Sequence, residues 1–193
     1  MDVFILYLQM GWEHIVSPDA TDHQLFLLCL LLPYRFADYR KVLWLVTAFT
    51  LGHSLTLALS AQGSISLSSY WIELFIPATI LGTAVFQSPL VRKPNQEAYS
   101  PKVLYGSAAV FGLIHGLGFA NTLRMMLGRE VSLTGPLLSF NLGLEMGQIV
   151  VLLAILLVRE ALHRISPRSE LIWPWLASGF SAAMAMWMMV ERG

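Results

Sequence analysis

Hydrophobic residues fall into long runs along the chain, separated by short polar stretches. Six of these runs are candidate helices, the first of them short: Leu25–Leu32, Val42–Ser60, Tyr70–Phe86, Val103–Leu127, Leu137–Val158 and Leu171–Val190. Because a membrane-spanning helix needs about 20 apolar residues, the pattern predicts an all-α, polytopic bundle of about six transmembrane helices. A further apolar stretch, Val3–Trp12, is too short to span alone and predicts an N-terminal half-helix that continues into the first span.

The composition supports a membrane protein and excludes other classes. Of the 193 residues, 56% are hydrophobic and only 12% are charged, whereas a soluble domain has about a quarter charged residues. Twelve basic residues balance twelve acidic ones, so nothing indicates the basic patch of a nucleic-acid-binding protein. The single cysteine, Cys29, excludes an intrachain disulfide and a CxxC motif. The expected surroundings are therefore a lipid bilayer.

The basic residues predict the orientation of this bundle. Three alternate loops hold nine of the twelve: Arg35, Arg40, Lys41, Arg92, Lys93, Lys102, Arg159, Arg164 and Arg168. By the positive-inside rule these loops face the cytoplasm, which places both termini outside. The polar, proline-rich loop 87–102 is predicted to be a cytoplasmic linker. It divides a single transmembrane domain, residues 1–193, into halves 1–86 and 103–193.

Two segments of these halves resemble each other. Phe49–Ala58 and Phe111–Ala120 share five of ten residues, including His53 and His115. This likeness predicts an internal two-fold repeat, with two helix pairs related by an axis along the membrane normal. Chance similarity between apolar helices is the alternative.

Ionisable residues within spans are costly and mark functional sites by default. The candidate metal ligands are His14, Asp22, His23, His53, His115 and Glu145, with Asp19, Glu73, Asn141 and Gln148 in support. At 1.5 Å per residue, His53 and His115 lie about 18 and 20 Å from the inner side, and Glu145 lies about 14 Å from the outer side. In a core about 30 Å thick, these groups are predicted to converge just outside the midplane.

Such a set of side chains has a defined chemistry. Neutral imidazole suits nickel, cobalt, copper or zinc, and the absence of thiolates favours an ion that is released again. The alternative is that each histidine only satisfies a backbone carbonyl and links helices. Two pairs of small residues, Gly112/Gly116 and Gly143/Gly147, predict close helix packing beside His115 and Glu145.

Several motifs together resemble a known family. They are Gly11-x-x-His14-Ile15, Asp22-His23-x-Leu25-Phe26-Leu27, Phe49-Thr50-x-x-His53-Ser54-x-Thr56-Leu57, Ile72-Glu73, Phe111–Ala120 and Phe140-Asn141-x-Gly143-x-Glu145-x-Gly147-Gln148. In this order the chain resembles the second subgroup of the HupE/UreJ family of hydrogenase and urease accessory membrane proteins. The resemblance implies a multi-pass protein of the bacterial inner membrane. It also implies a nickel or cobalt permease that supplies metalloenzyme assembly, with the His, Asp and Glu positions named above as its site.

Three functions remain open at this point. The first is a divalent transition-metal permease with an outward-facing intramembrane site. The second is an intramembrane zinc hydrolase acting on a lipid or membrane peptide, because histidines and carboxylates could also hold zinc with an open position. The third is an assembly subunit, either a homo-oligomer or a partner of metalloenzyme-assembly proteins. The sequence favours transport over catalysis, and nickel, cobalt and zinc are all candidate ions.

Overall fold

The structure, a computed structural model, describes residues 3–65, 67–89, 101–127 and 133–192. Within these residues it contains a 3-10 turn and seven α-helices: α1 (Val3–Val16), α2 (Thr21–Leu31), the turn Phe36–Asp38, α3 (Tyr39–Ala61), α4 (Ser69–Gln87), α5 (Pro101–Leu127), α6 (Thr134–Ile165) and α7 (Ser169–Arg192). The described ranges contain no strand, so the all-α prediction is confirmed. Residues 90–100 of the predicted linker, with Arg92 and Lys93, lie outside the described residues.

Four of the described helices are long and apolar enough to cross a membrane. They are Phe36–Ala61, Ser69–Gln87, Lys102–Ala120 and Thr134–Ile165. The chain is therefore an integral membrane protein. Helices α1 and α2 have 14 and 11 residues, or about 21 and 17 Å at 1.5 Å per residue. Each is shorter than the roughly 30 Å hydrocarbon core. The number of six spans and the internal repeat stay predictions.

Helices α1 and α2 lie end to end along α6. Leu8 and Trp12 of α1 lie on either side of Gly143 of α6, and Ile15 meets Gly147 one turn further along α6. The C-terminal end of α2 meets α6 still further on, because Arg159 donates a hydrogen bond to the carbonyl of Leu32. Both short helices thus run in the same direction as α6, and residues 17–20 interrupt them.

Glycines let two pairs of parallel helices pack backbone to backbone. A methyl group on Gly112 would collide with the carbonyl of Phe49, and one on Gly116 with the carbonyl of His53, so α5 lies directly on α3. Likewise a methyl group on Gly143 would collide with the carbonyl of Leu8, so α6 lies directly on α1. Since only hydrogen fits at these contacts, these glycines determine how closely the helices approach.

The remaining helices complete one bundle around an aromatic core. Helix α4 packs mainly on α7, and α2 lies among α4, α6 and α7. Phe26, Phe49 and Phe140 are fully buried in the centre. Large apolar side chains such as Trp44 and Leu51 are exposed on the outside, as expected of surfaces that face lipid.

An ion-pair network joins the basic end of the bundle. Arg159, only 9% exposed, donates hydrogen bonds to the carbonyls of Leu32 and Tyr34 and to Glu170 Oε2. Arg35 also contacts Glu170 Oε2, at 3.1 Å. Burial alone would raise the pKa of the Glu170 carboxyl, but the hydrogen bond and charge of Arg159 and the charge of Arg35 hold it below its usual value. The network thus connects the end of α2 to α6 and α7.

We expect Arg159→Met to destabilise the bundle by about 3 kcal/mol. The carbonyls of Leu32 and Tyr34 lose a buried donor, and Glu170 keeps only the more exposed of its two arginine partners. Arg164→Met is the matched control on the same helix, since its pair with Glu160 is exposed and such pairs contribute less than about 1 kcal/mol. Thermal unfolding in detergent measures both variants. The Glu170 carboxyl has a lowered pKa in the folded protein, so its ionised form stabilises the fold at neutral pH and this contribution is lost as the carboxyl is protonated. The effect of Arg159→Met should therefore shrink below about pH 4. Equal losses in the two variants would contradict the role of the network.

Candidate metal centre

Three histidines from three helices meet inside the bundle, away from its basic end. His14 comes from the last turn of α1, His23 from the first turn of α2 and His53 from the middle of α3. One ring nitrogen of each lies within 4.8 Å of the other two. His23 and His53 are buried and His14 is half-buried. We call His14, His23 and His53 the histidine triad.

The interruption between α1 and α2 brings the first two members together. His14 precedes the break and His23 follows it, and their ring centroids are 4.6 Å apart. The side-chain amide of Gln24 donates hydrogen bonds to the carbonyls of Ile15 and Ser17, at 3.2 and 2.8 Å. The carbonyl of Ser17 also accepts the backbone N–H of Ala20 at 3.0 Å, so Gln24 is a second donor there. Inside a membrane, backbone polar groups must find their partners within the protein, and both donors act where the helix is interrupted. Gln24 therefore stabilises the interrupted backbone that holds the two imidazoles.

Asp22 orients the central imidazole of the triad. Its Oδ1 atom lies 3.0 Å from His23 Nδ1 and accepts a hydrogen bond from the His23 backbone N–H at 2.8 Å. An ionised carboxylate only accepts hydrogen bonds, so Nδ1 of His23 carries the proton and Nε2 keeps its lone pair. Nε2 is buried and has no hydrogen-bond partner among the described residues. It is therefore available to a metal ion.

His115 lies beside the triad rather than in it. Its ring centroid is 5.1 Å from that of His23, and its side chain is almost completely buried. Nε2 of His115 is 3.0 Å from Thr79 Oγ1, whereas Nδ1 is buried without a hydrogen-bond partner among the described residues.

Two cavities open beside these imidazoles. The larger, about 440 Å³, is lined by His14, Asp22, His23, Ser69, Ile72, Glu73, Ile76, His115, Gly118, Phe119 and Arg192. The second, about 380 Å³, is lined by Met10, Glu13, His14, Ser17, Asp19, Ala20, Asp22, His23 and Phe119. Two residues that were predicted to support the site line these cavities: Glu73 lines the larger one and Asp19 the second. Carboxylates at such positions raise the local concentration of cations.

Three other predicted residues, all on α6, lie elsewhere. Glu145 Oε1 accepts a hydrogen bond from Thr47 at 3.0 Å, and Gln148 Oε1 accepts one from Thr50 at 2.8 Å. Neither residue lines the two cavities, nor does Asn141, whose Oδ1 is buried without a partner among the described residues. Phe140 marks the depth of the triad on α6, since it stacks on His53. Glu145 follows it by five residues, about 7.5 Å further along the helix.

The structure also adds residues that the sequence analysis did not single out. The Phe119 ring lies 4.5 Å from that of His14 and stacks on Phe140 at 4.9 Å. It follows His115 by four residues and so shares its helix face, a signal that could have revealed it. Thr79, an ordinary threonine in an apolar helix, carried no comparable signal. The aromatic rings exclude water and lower the local dielectric constant, which strengthens electrostatic interactions at the triad.

The triad has the composition and spacing of a metal site. The centre of a triangle with sides of at most 4.8 Å lies at most about 2.8 Å from each corner, close to the ~2.0–2.1 Å of a zinc–imidazole bond. Each nitrogen would have to move inward by at most about 0.7 Å to reach that bond length. Histidine nitrogens without thiolates suit nickel, cobalt, copper and zinc.

Comparison with known proteins identifies the relatives of this chain. No curated protein and no solved structure matches it. A family model described as HupE / UreJ protein matches residues 1–192, which is almost the whole length. The motifs that carry the resemblance include all three members of the triad. The chain therefore belongs to the HupE/UreJ family.

Proposed function

We propose that this protein is a divalent transition-metal permease that takes up nickel or cobalt from outside the cell. The observation that carries the proposal is the histidine triad, with three nitrogens within 4.8 Å of one another beside cavities with acidic walls. The carboxylates attract the hydrated cation, and the imidazoles replace part of its water shell. Asp22 supports this exchange because its contact with His23 Nδ1 leaves Nε2 of the same ring without a hydrogen-bond partner among the described residues.

The distribution of charge supports an outward-facing site in the inner membrane. Arg35, Arg159 and Arg164 lie at the end of the bundle where α6 ends and α7 begins. The larger cavity lies toward the other end, where Ser69 begins α4 and Arg192 ends α7. By the positive-inside rule the basic end is cytoplasmic, so the cavities face outward and both termini lie outside.

Polar contacts between α3 and α6 offer a path inward from the triad. Thr50 and Thr47 precede His53 by one and nearly two helical turns, toward the basic end. They contact Gln148 and Glu145 respectively. These groups would solvate a cation that leaves the imidazoles, and Glu145 would then be a ligand of the release path and not of the triad.

An intramembrane zinc hydrolase is the second candidate, and the larger cavity favours it. A volume of about 440 Å³ falls in the range of small-molecule sites, about 300–1,000 Å³. Ile72 and Ile76 contribute apolar surface to the lining of this cavity, which would suit a lipid or peptide chain. An ion held by the triad would then activate water instead of moving inward.

Transport in liposomes distinguishes the two candidates. The purified protein is reconstituted in vesicles that contain a nickel-sensitive dye, and Ni²⁺ is added outside. We expect a time-dependent signal that saturates with Ni²⁺ and is absent from protein-free vesicles. Chelation of external metal should stop it at once. Binding of one ion per chain without entry would contradict the permease and favour the hydrolase.

A further inference from the structure

Thr79 on α4 makes two hydrogen-bond contacts that restrict the chemistry of His115. Its side chain is buried, with 7% exposed. Oγ1 donates to the carbonyl of Ile76, three residues earlier on the same helix, at 2.7 Å. The same oxygen lies 3.0 Å from His115 Nε2. A threonine hydroxyl has one proton and two lone pairs, so a proton given to Ile76 leaves Oγ1 only the role of acceptor toward the imidazole.

The acceptor role of Thr79 selects the tautomer of His115. A nitrogen that donates must carry the proton, so His115 is protonated on Nε2 and its lone pair is on Nδ1. Nδ1 is the atom that is buried and without a hydrogen-bond partner among the described residues. His115 itself lines the larger cavity. Both observations therefore indicate that Nδ1 is the atom of His115 that can bind a ligand.

His23 and His115 are held in opposite ways. Asp22 fixes His23 through Nδ1 and leaves Nε2 free, whereas Thr79 contacts Nε2 of His115 and leaves Nδ1 free. Their ring centroids are 5.1 Å apart, and both line the same cavity. Hydrogen bonds from outside the coordination sphere commonly set the orientation and tautomer of metal-binding histidines in this way.

We propose that Thr79 is a positioning residue that holds His115 as the Nε2–H tautomer, so that Nδ1 serves as a ligand for a divalent cation in the larger cavity. The part of this proposal that concerns metal binding rests on the proposed function. The part that concerns the tautomer is independent of it, because the hydrogen bonds exist without an ion. Without the Thr79 hydroxyl, the ring would populate both tautomers and could rotate. A share of the molecules would then present N–H to the cation.

Thr79→Val removes the hydroxyl and keeps the shape of the side chain, whereas Thr79→Ser retains the hydroxyl. Thr83→Val is the matched control, since Thr83 is also buried on α4 but donates to the carbonyl of Thr79 and not to a histidine. We expect Thr79→Val to weaken Ni²⁺ binding about tenfold, the lower end of the effect of such outer groups. Thr79→Ser and Thr83→Val should stay close to the parent protein.

Two measurements test the proposal separately from transport. Nitrogen-15 NMR of metal-free, histidine-labelled protein should show His115 protonated on Nε2 in the parent and a mixture of tautomers in Thr79→Val. Calorimetric titration with Ni²⁺ then gives the affinities. A parent His115 protonated on Nδ1, or a Thr79→Val spectrum identical to the parent, overturns the proposal. A changed tautomer with unchanged Ni²⁺ affinity overturns its metal-binding part.

The outcomes also separate this proposal from the proposed function. If the parent binds no Ni²⁺ but its His115 tautomer depends on Thr79, the permease is contradicted while Thr79 keeps its positioning role. If the parent binds and transports Ni²⁺ but Thr79→Val matches it in every measurement, the permease stands and the role of Thr79 is overturned.

Discussion

Replacing His23 with glutamine should weaken nickel binding more than about 100-fold and abolish uptake. A four-ligand zinc site contributes roughly 10–16 kcal/mol, so one ligand corresponds to about 3 kcal/mol. His23 is the central member of the site: its ring neighbours those of His14, His53 and His115. Glutamine keeps most of the volume but offers no nitrogen lone pair. Titration with Ni²⁺ and accumulation of radioactive nickel by cells measure the two effects.

His163→Gln is the matched control for this variant. His163 lies at the basic end of α6, and its side chain is 44% exposed. It lines neither of the two cavities beside the histidine triad, so its replacement should leave affinity and uptake unchanged. Equal nickel uptake by the two variants would contradict the metal centre. A His23→Gln protein that still folds, as judged by its elution from a sizing column, makes a loss of binding attributable to the ligand.

Gly112→Ala should destabilise the protein by about 3 kcal/mol, the upper end for overpacked sites, and should weaken metal binding as well. The added methyl group would meet the carbonyl of Phe49 and approach the amide of His53. These are backbone atoms that cannot rotate away, so α3 and α5 must separate. His53 and His115 lie on these two helices, and their separation would disturb the distances at the site. The midpoint of thermal unfolding and the nickel affinity measure both consequences.

Gly106→Ala on the same helix is the control. Nothing lies within 4 Å of the position that its methyl group would occupy. Since alanine forms helices better than glycine by up to about 1 kcal/mol, this variant should be as stable as the parent or slightly more so. If Gly112→Ala behaved like Gly106→Ala, the close contact of α3 and α5 would not be the determinant of the site that we describe.

The sequence predicts the helical architecture well because long apolar runs have few alternatives inside a membrane. It also groups the histidines, since a buried imidazole is costly unless it faces a partner. The break between α1 and α2 was only approximated by a half-helix that continues into the first span. At this break the side chain of Gln24 donates hydrogen bonds to the carbonyls of Ile15 and Ser17. Nothing in the apolar pattern distinguishes such a glutamine from an ordinary polar residue.

Depth was the weaker part of the sequence analysis. Counting residues from opposite surfaces adds the uncertainties of both, and Glu145 illustrates the effect. The residue count placed Glu145 level with His53, whereas the structure places it beside Thr47. This position is more than one helical turn further along α6 than Phe140, which stacks on His53. The role of Thr79 could not be inferred either, because it depends on a contact between α4 and α5 and not on spacing along one helix.

The pairing of α1 with α6 has a consequence for the order in which the protein is made. Helix α1 rests on a surface that includes Gly143, which is synthesised only after more than a hundred further residues. Until α6 is made, α1, which carries His14, lacks this packing surface. We therefore expect the histidine triad to be completed late in biogenesis, because a nascent chain that stops before α6 would lack the surface against which α1 packs.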